Sequence, residues 1–234
     1  MIAVISLGGS IIAPDAVDVE FLSRFTRVVE ELLQEDAALR LVFVAGGGGP
    51  ARAYQKAFRE ISGGAGLAAA AFDEEADWLG IMATRLNAQL VKALFARHCP
   101  DCVATDPTAE VSFSGRILVA AGWKPGFSSD NDAVLLAQRF GAKRVINLSN
   151  IAQVHTADPK LDGGARPIDA ISWKDFRAMV GDAWTPGKNV PFDPVASANA
   201  EKHGITVICA AGRDLENLKK IIRGEAFVGT SIGE

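Results

Sequence analysis

Continuous apolar runs and helical stripes alternate along this chain from its first residues. "IAVISL" (2–7) is unbroken by polar positions until Gly8-Gly9, except for one serine, and reads as a buried strand. From 18 to 34, Phe21, Phe25, Val28, Val29 and Leu32 recur on one helical face. "RLVFVA" (40–45) predicts a second strand that runs into four glycines, 46–49, and the segment after them carries Tyr54, Phe58 and Ile61 as a helix. Residues 62–71, "SGGAGLAAAA", are small and read as a flexible connection. A long helix follows, with Trp78, Met82, Leu86, Leu90 and Leu94 at a spacing of four. Further strands are predicted at 116–121, 143–149 and 204–209, and helices near 130–140, 172–180, 193–203 and 214–223. Ser172 with Asp175 opens one of these helices as a capping pair, and Gly224 closes another. Such alternation predicts an α/β fold with a mainly parallel sheet covered by helices. No repeat and no linker is visible, so a single domain is expected, with a loop-like break near 155–170.

Composition narrows the function classes. The 234 residues are 49% hydrophobic and 22% charged, an ordinary globular balance with room for a large core. A net charge of −4 with no basic run argues against a general nucleic-acid surface. The apolar start lacks a basic leader, and no stretch is long enough to span a membrane, so a cytoplasmic protein is expected. Three cysteines do not suggest a disulfide framework. Cys99 and Cys102 form a C-x-x-C beside His98, but they close a helix and lead into a strand, whereas a redox pair opens a helix after one. Cys209 lies in an apolar strand pattern, so the pair reads as a helix-terminating turn and no metal site is expected.

The chemistry concentrates at four places. In the glycine run, Gly46, Gly48 and Ala51 satisfy G-x-G-x-x-G/A, but no carboxylate follows at the distance a dinucleotide ribose needs until Asp73. No Lys-Ser or Lys-Thr pair follows either, so the phosphate loop of the P-loop type is absent. Gly8, Gly9 and Ser10 make a second strand-to-glycine turn, and two such turns in one parallel sheet lie on the same carboxyl-end rim. Two anion cradles on one rim suggest two phosphorylated ligands face to face, the arrangement of phosphoryl transfer. The third place is "GWKPGFSSDNDAVLLAQ" (122–138), where Ser128, Ser129, Asp130 and Asn131 stand at a loop-to-helix junction. The fourth is "LSNIAQVHTADPK" (148–160), a strand end followed by an Asp-Pro turn.

These pieces, in this order, resemble the amino-acid kinase superfamily, and within it the uridylate kinases of the short archaeal type. The matching segments are "GGS", "GGG-x-x-A-R", the D-x-x-G of Asp77 and Gly80, "PGFSSD", "SNIAQVHTADPK", "DPVA" and "VGTSI", which span nearly the whole chain. The resemblance implies a three-layer αβα sandwich that moves the ATP γ-phosphate to UMP, with Mg²⁺ as cofactor and a homo-oligomer, dimer or hexamer. It implies an acceptor- and phosphate-binding part of about 1–155 and a nucleotide-binding part of about 156–234. Position by position, Gly8, Gly9, Ser10, Gly48 and Arg52 would meet ATP phosphates, and Gly47 the UMP phosphate. Asp77, with Gly80 in its motif, would hold the acceptor ribose, and Trp123, Lys124, Pro125, Gly126, Phe127, Ser128 and Ser129 would wrap UMP. Asp130 would orient phosphates or Mg²⁺, and Ser149, Asn150, His155 and Asp158 would line the adenosine pocket.

Several positions depart from the family pattern. Ser6 stands where many relatives have a lysine, which makes Lys188 and Lys124 candidates for the neutralising cation beside Arg52. Ala152-Gln153 replaces a usual Asp-Gly, His155 a common tyrosine, and Trp123 a small or polar residue. A sister kinase for another small phosphate or carboxylate, or a nucleotide-binding storage protein, therefore stays open at this point.

Overall fold

The computed structural model describes residues 1–62, 69–181 and 190–233. Its chain order begins β1 (Ile2–Leu7), α1 (Gly9–Ile12), α2 (Val19–Glu35), β2 (Arg40–Ala45), α3 (Gly48–Ser62), α4 (Ala69–Leu94) and β3 (Ile117–Ala120). It continues with α5 (Ser129–Phe140), β4 (Arg144–Ser149), β5 (Val154–His155), β6 (Pro167–Ile168), β7 (Ala170–Ile171) and α6 (Trp173–Val180). The last elements are α7 (Pro194–Lys202), β8 (Thr206–Ala211), α8 (Leu215–Arg223) and β9 (Thr230–Ile232). Seven strands form one sheet in the order β3-β2-β1-β4-β8-β9-β7, and β5 pairs with β6 as a separate ribbon. The pairs from β3 through β8 are parallel, β9 runs antiparallel to β8, and β7 is parallel to β9.

Both faces of the sheet are covered, which is why its strands read as apolar runs instead of alternating ones. Ile5, Leu7, Leu41 and Phe43 pack on one face against Phe25 and Val29 of α2, Val91 of α4 and Leu218 and Ile221 of α8. Phe43 sits 5.3 Å from Phe25 and 5.6 Å from Phe95, ring centroid to ring centroid. Their neighbours Val4, Val42, Val44 and Leu118 point the other way, against Val134 of α5, Phe176 of α6 and Ala196 of α7. The three-layer αβα sandwich is therefore present, and the face of α2 picked out by its periodicity lies in the core.

Two helices do not follow their apolar stripes. Met82 is 50% exposed and Leu86 69%, with Leu94 also open, while α4 buries Ala76, Ile81, Ala83, Asn87, Ala88 and Val91 instead. Small side chains let this helix sit close to the sheet, so its bulky residues end up on the outside. Tyr54 and Ile61 of α3 are likewise exposed. The strand expected at 204–209 begins and ends two residues later, and β5, β6 and β7, two residues each, are too short to show any period. The capping pair is formed, since Ser172 accepts from Asp175 N–H and donates to its carboxylate, and Gly224 takes the left-handed cap at φ 73°. Most of the connection expected to be flexible (63–68) lies outside the described residues.

Strand register sets the rim. Leu7 pairs with Ala45 on one side and with Leu148 on the other, and Val44 pairs with Ala120. The residues that leave β1, β2, β3 and β4 at their carboxyl ends are thus brought level, which is where open α/β sheets bind ligands.

Candidate active site

The two glycine turns touch. A Cβ built on Gly9 would lie 2.0 Å from Gly48 N and 2.7 Å from the carbonyl carbons of Gly46 and Gly47. A Cβ on Gly46 would meet Gly9 N at 2.4 Å, one on Gly47 the Ala51 Cβ at 2.7 Å, and one on Gly49 the Pro14 carbonyl at 2.4 Å. Gly48 adds a positive φ of 66°. Close packing, before any ligand arrives, thus accounts for all four glycines: backbone against backbone at Gly46, Gly48 and Gly49, and backbone against the Ala51 methyl at Gly47. The N–H groups of Gly8, Gly46 and Gly49 donate to Leu148 O, Leu7 O and Ala13 O, which ties both turns to the rim.

Asn87 of α4 orients the run. Its buried amide donates to Gly46 O at 2.8 Å and to Gly47 O at 3.1 Å. Because a trans peptide points C=O and N–H in opposite directions, the N–H groups of Gly47 and Gly48 turn away from α4, toward Gly9. The start of α3 then adds N–H groups with no helical partner and a positive end. Arg52, one turn on, is exposed and spends one N–H on Pro14 O at 2.7 Å. Its remaining donors are open to an anion on this side of the rim.

The opposite wall of the cleft comes from residues 122–130. Gly126 N–H donates to Asp77 Oδ2 at 3.1 Å, so Asp77 of α4, expected to hold the acceptor ribose, here holds the loop. The Trp123 and Phe127 rings are 4.8 Å apart, and the Lys124 ammonium lies 3.9 Å from the indole centroid. Ser128 caps α5 by accepting Asn131 N–H. Thr84 and Arg85 of α4 and Asp132 of α5 also bind this loop. Pattern reading passes over these residues and Asn87, because they act on backbone atoms. The one available signal is the placement of polar side chains on the sheet side of α4.

Ser6 and Asp130 join the two walls. Ser6, 1% exposed, donates from Oγ to Asp130 Oδ1 at 2.9 Å, and Asp193 N–H approaches Oδ2 at 3.4 Å. A neutral hydroxyl, and not an ammonium, therefore supports the carboxylate from the end of β1. Desolvation pushes the Asp130 carboxyl up to about 6 against the lowering effect of Ser6, with the charge of Asp193 adding to the rise. Burial likewise pushes Asp132 up to about 7, Asp193 upward and the Cys209 thiol up to about 12.

The Asp132 shift has a stability consequence. Its folded value lies above the unfolded 3.8, so its contribution is fully present below that value and is lost as pH rises through about 7. Asp132→Asn is expected to stabilise the protein by about 2 kcal/mol at pH 8, the order set by a shift of this size after partial relaxation, and very little at acidic pH. Urea unfolding at pH 4 and pH 8 checks this; an equal effect at both would contradict it.

On the far side of β1, Ser149 ends β4, and its carbonyl accepts Gly212 N–H at 2.7 Å. A Cβ on Gly8 would lie 2.8 Å from Leu148 O, which places this strand end directly beside the first glycine turn. Asn150 is exposed, and His155 of β5 donates from Nδ1 to the Gln153 carbonyl at 3.0 Å. Gln153 donates to Asp169 and to Gly229 O, while Thr230 accepts Val154 N–H, so the departure at 152–153 serves to pin the ribbon to β9. Asp158 accepts Lys160 N–H within its own turn, an exposed position beyond that ribbon. Lys188 lies outside the described residues. Cys99 is buried and Cys102 exposed, both past the end of α4. A cavity of about 270 Å³ sits at the other end of the strands, lined by Met1, Lys143 and Arg144 among others, away from all of these residues.

Comparison with known proteins agrees with this geometry. The sequence model described as the amino acid kinase family matches residues 1–211. A uridylate kinase of Hyperthermus butylicus is 34% identical over 227 residues, covering 95% of this chain and 94% of that one. The crystal structure of uridylate kinase from Archaeoglobus fulgidus superposes with a TM-score of 0.81 at 33% identity, over 100% of both chains. UMP kinase from Bacillus anthracis, at 18% identity and a TM-score of 0.77, covers 99% of this chain and 95% of its own and shares the fold.

Proposed function

The chain belongs to the amino acid kinase family, and on that premise we propose that it is a uridylate kinase that converts ATP and UMP to ADP and UDP. The observation that carries this reading is the pair of glycine turns packed against each other on one rim, facing a loop held by Asp77. Two polyanions must approach in line, and here two cradles are already in contact before either ligand binds.

In the reaction, an oxygen of the UMP phosphate forms a bond to the γ-phosphorus as the bond to the β,γ-bridging oxygen breaks and ADP leaves. UMP carries its attacking oxygen as an anion at neutral pH, so no general base is needed. Catalysis then rests on positioning and on neutralising charge. In this reading Gly8, Gly9, Ser10, Gly48 and Arg52 take the ATP phosphates and Gly47 the UMP phosphate. Asp77 and Gly80 with 123–129 take the nucleoside. Ser149, Asn150, His155 and Asp158 take the adenosine. The oxygen donor set suits Mg²⁺, which binds through one or two carboxylates plus substrate phosphates. Asp130, partly open and with each carboxylate oxygen approached by a neutral donor, is the residue to hold it. When bound, the ion screens the charge shared between the two phosphates. The proposed division is one domain, with residues to about 155 serving acceptor and phosphates and the remainder the nucleotide.

No helix among the described residues is long and apolar enough to cross a membrane, and we place the protein in the cytoplasm. We also propose a homo-oligomer, supported by the outward Met82, Leu86 and Leu94 of α4 and by the groove that Val17, Val19, Leu22, Leu90 and Leu94 line between α2 and α4.

The experiment is ADP release measured with ATP, Mg²⁺ and UMP, CMP, glutamate or a small phosphate in turn, on a preparation whose mass is read by sedimentation. UMP-dependent turnover is expected, with Asp77→Ala raising the KM for UMP at least tenfold, the scale of a lost charged hydrogen bond. Turnover with another acceptor alone points to a sister kinase, and ATP binding with no acceptor-stimulated turnover to a nucleotide-binding protein. Either result sinks the proposal.

A further inference from the structure

Gly122 and Trp123, where the chain leaves β3, present four backbone polar groups, and a side chain takes each one. Gly122 N–H donates to Thr84 Oγ1 at 2.8 Å, and Trp123 N–H to Asp132 Oδ2 at 3.2 Å. Arg85 donates from Nε to Gly122 O at 3.4 Å and from Nη2 to Trp123 O at 3.1 Å. The Thr84 hydroxyl gives its own proton to Ile81 O at 2.7 Å, which leaves its lone pairs facing Gly122. Surface loops ordinarily satisfy such groups with water or with their own backbone. This loop is gripped from two helices instead.

Asp132 is the unusual member. It is 1% exposed, and its second oxygen, Oδ1, is buried with no hydrogen-bond partner. Burying a carboxylate for one N–H is costly, and an apolar side chain of similar size would pack the site at less expense. Stability alone therefore gives no reason for an acid here. What the acid does is fix the Trp123 peptide on the side opposite Arg85. Together with the Asp77 bond to Gly126, this fixes both ends of the segment that carries Trp123, Lys124 and Phe127.

We propose that Arg85 and Asp132 are positioning residues that grip the Trp123 peptide from opposite sides and thereby hold Trp123 and Phe127 in the arrangement that receives the acceptor base. This rests on the reading of residues 123–129 as the UMP loop. Neither side chain need touch the nucleotide. The consequence is selective: acceptor affinity depends on the grip, whereas the donor cradle, held by Asn87 and the contact of the glycine turns, does not.

Steady-state kinetics on the full chain separates the two. Arg85→Met and Asp132→Leu are expected to raise the KM for UMP about tenfold, with the KM for ATP and kcat within about threefold. Asp132→Asn, whose amide oxygen still accepts the N–H, is expected to return the KM for UMP to near the parent value. A KM for ATP that rises in step, an unchanged KM for UMP, or an Asp132→Asn as impaired as Asp132→Leu overturns the proposal. Amide hydrogen exchange reads the grip without catalysis. The 122–127 segment should exchange at least tenfold faster in Arg85→Met while the 46–52 segment does not, and equal protection in variant and parent overturns the grip itself. If the parent shows no UMP turnover, the acceptor reading fails, and exchange alone then judges the clamp.

Discussion

Gly9→Ala is expected to lower phosphotransfer at least a hundredfold and to destabilise the chain by roughly 3 kcal/mol or more. The added carbon would stand 2.0 Å from Gly48 N and 2.7 Å from two further backbone carbons. No rotamer change relieves contacts with main chain, so the turns after β1 and β2 must part. Those turns are also fastened elsewhere, since Gly8 N–H donates to Leu148 O and Gly46 N–H to Leu7 O. Separation therefore breaks rim hydrogen bonds as well as moving the N–H groups that face Gly9. A displacement of about 1 Å at reacting groups already costs on the order of a hundredfold. Gly163→Ala is the control, because nothing lies within 4 Å of its Cβ position. Thermal melting and turnover of both variants decide the matter, and a Gly9→Ala protein with parent-like activity would show the two turns to be independent.

Arg52→Ala is expected to reduce kcat by about a hundredfold or more with little change in melting temperature. The side chain is exposed and rests on a single carbonyl, Pro14 O, so its loss opens no cavity. Its charge is harder to replace. Ser6 spends its proton on Asp130 and brings no positive charge to the rim, and the Lys124 ammonium lies over the Trp123 ring. Among the described residues, negative charge building between donor and acceptor then falls to Arg52 and the N–H groups of the glycine turns, beside the bound Mg²⁺. Arg52→Lys should recover part of the rate, since an ammonium supplies the charge without the fork. Single-turnover rates at saturating ATP and UMP give the answer, and a kcat within threefold of the parent would remove Arg52 from the reaction.

The sheet was legible because its central strands are apolar on both sides, as in "IAVISL" and "RLVFVA", and helices α2 and α8 because large side chains mark their buried faces. The outward stripe of α4 misled because alanines make its inner face, and size, not hydropathy, decides which side packs closely. The four-residue α1 and the two-residue strands carry too few positions for any period. Glycine spacing and motif order put both turns on one rim, and the structure brings them into contact. The physical demand behind the glycines was not visible, since it arises from residues about forty positions apart in sequence coming into backbone contact. Thr84, Arg85, Asn87 and Asp132 escaped for the same reason. Their partners are carbonyls and N–H groups, which no residue pattern records.

Helix α4 holds the glycine run through Asn87 and the facing loop through Asp77, Thr84 and Arg85. These attachments span ten residues, roughly 15 Å of one rigid rod. The gap between the glycine run and the facing loop is thereby calibrated by a helix. One residue inserted between 77 and 87 would turn one attachment about 100° against the other and lengthen the gauge by about 1.5 Å. Evolution of a new acceptor in this scaffold is thus free to rebuild the loop, but not to change the length of the segment that measures it.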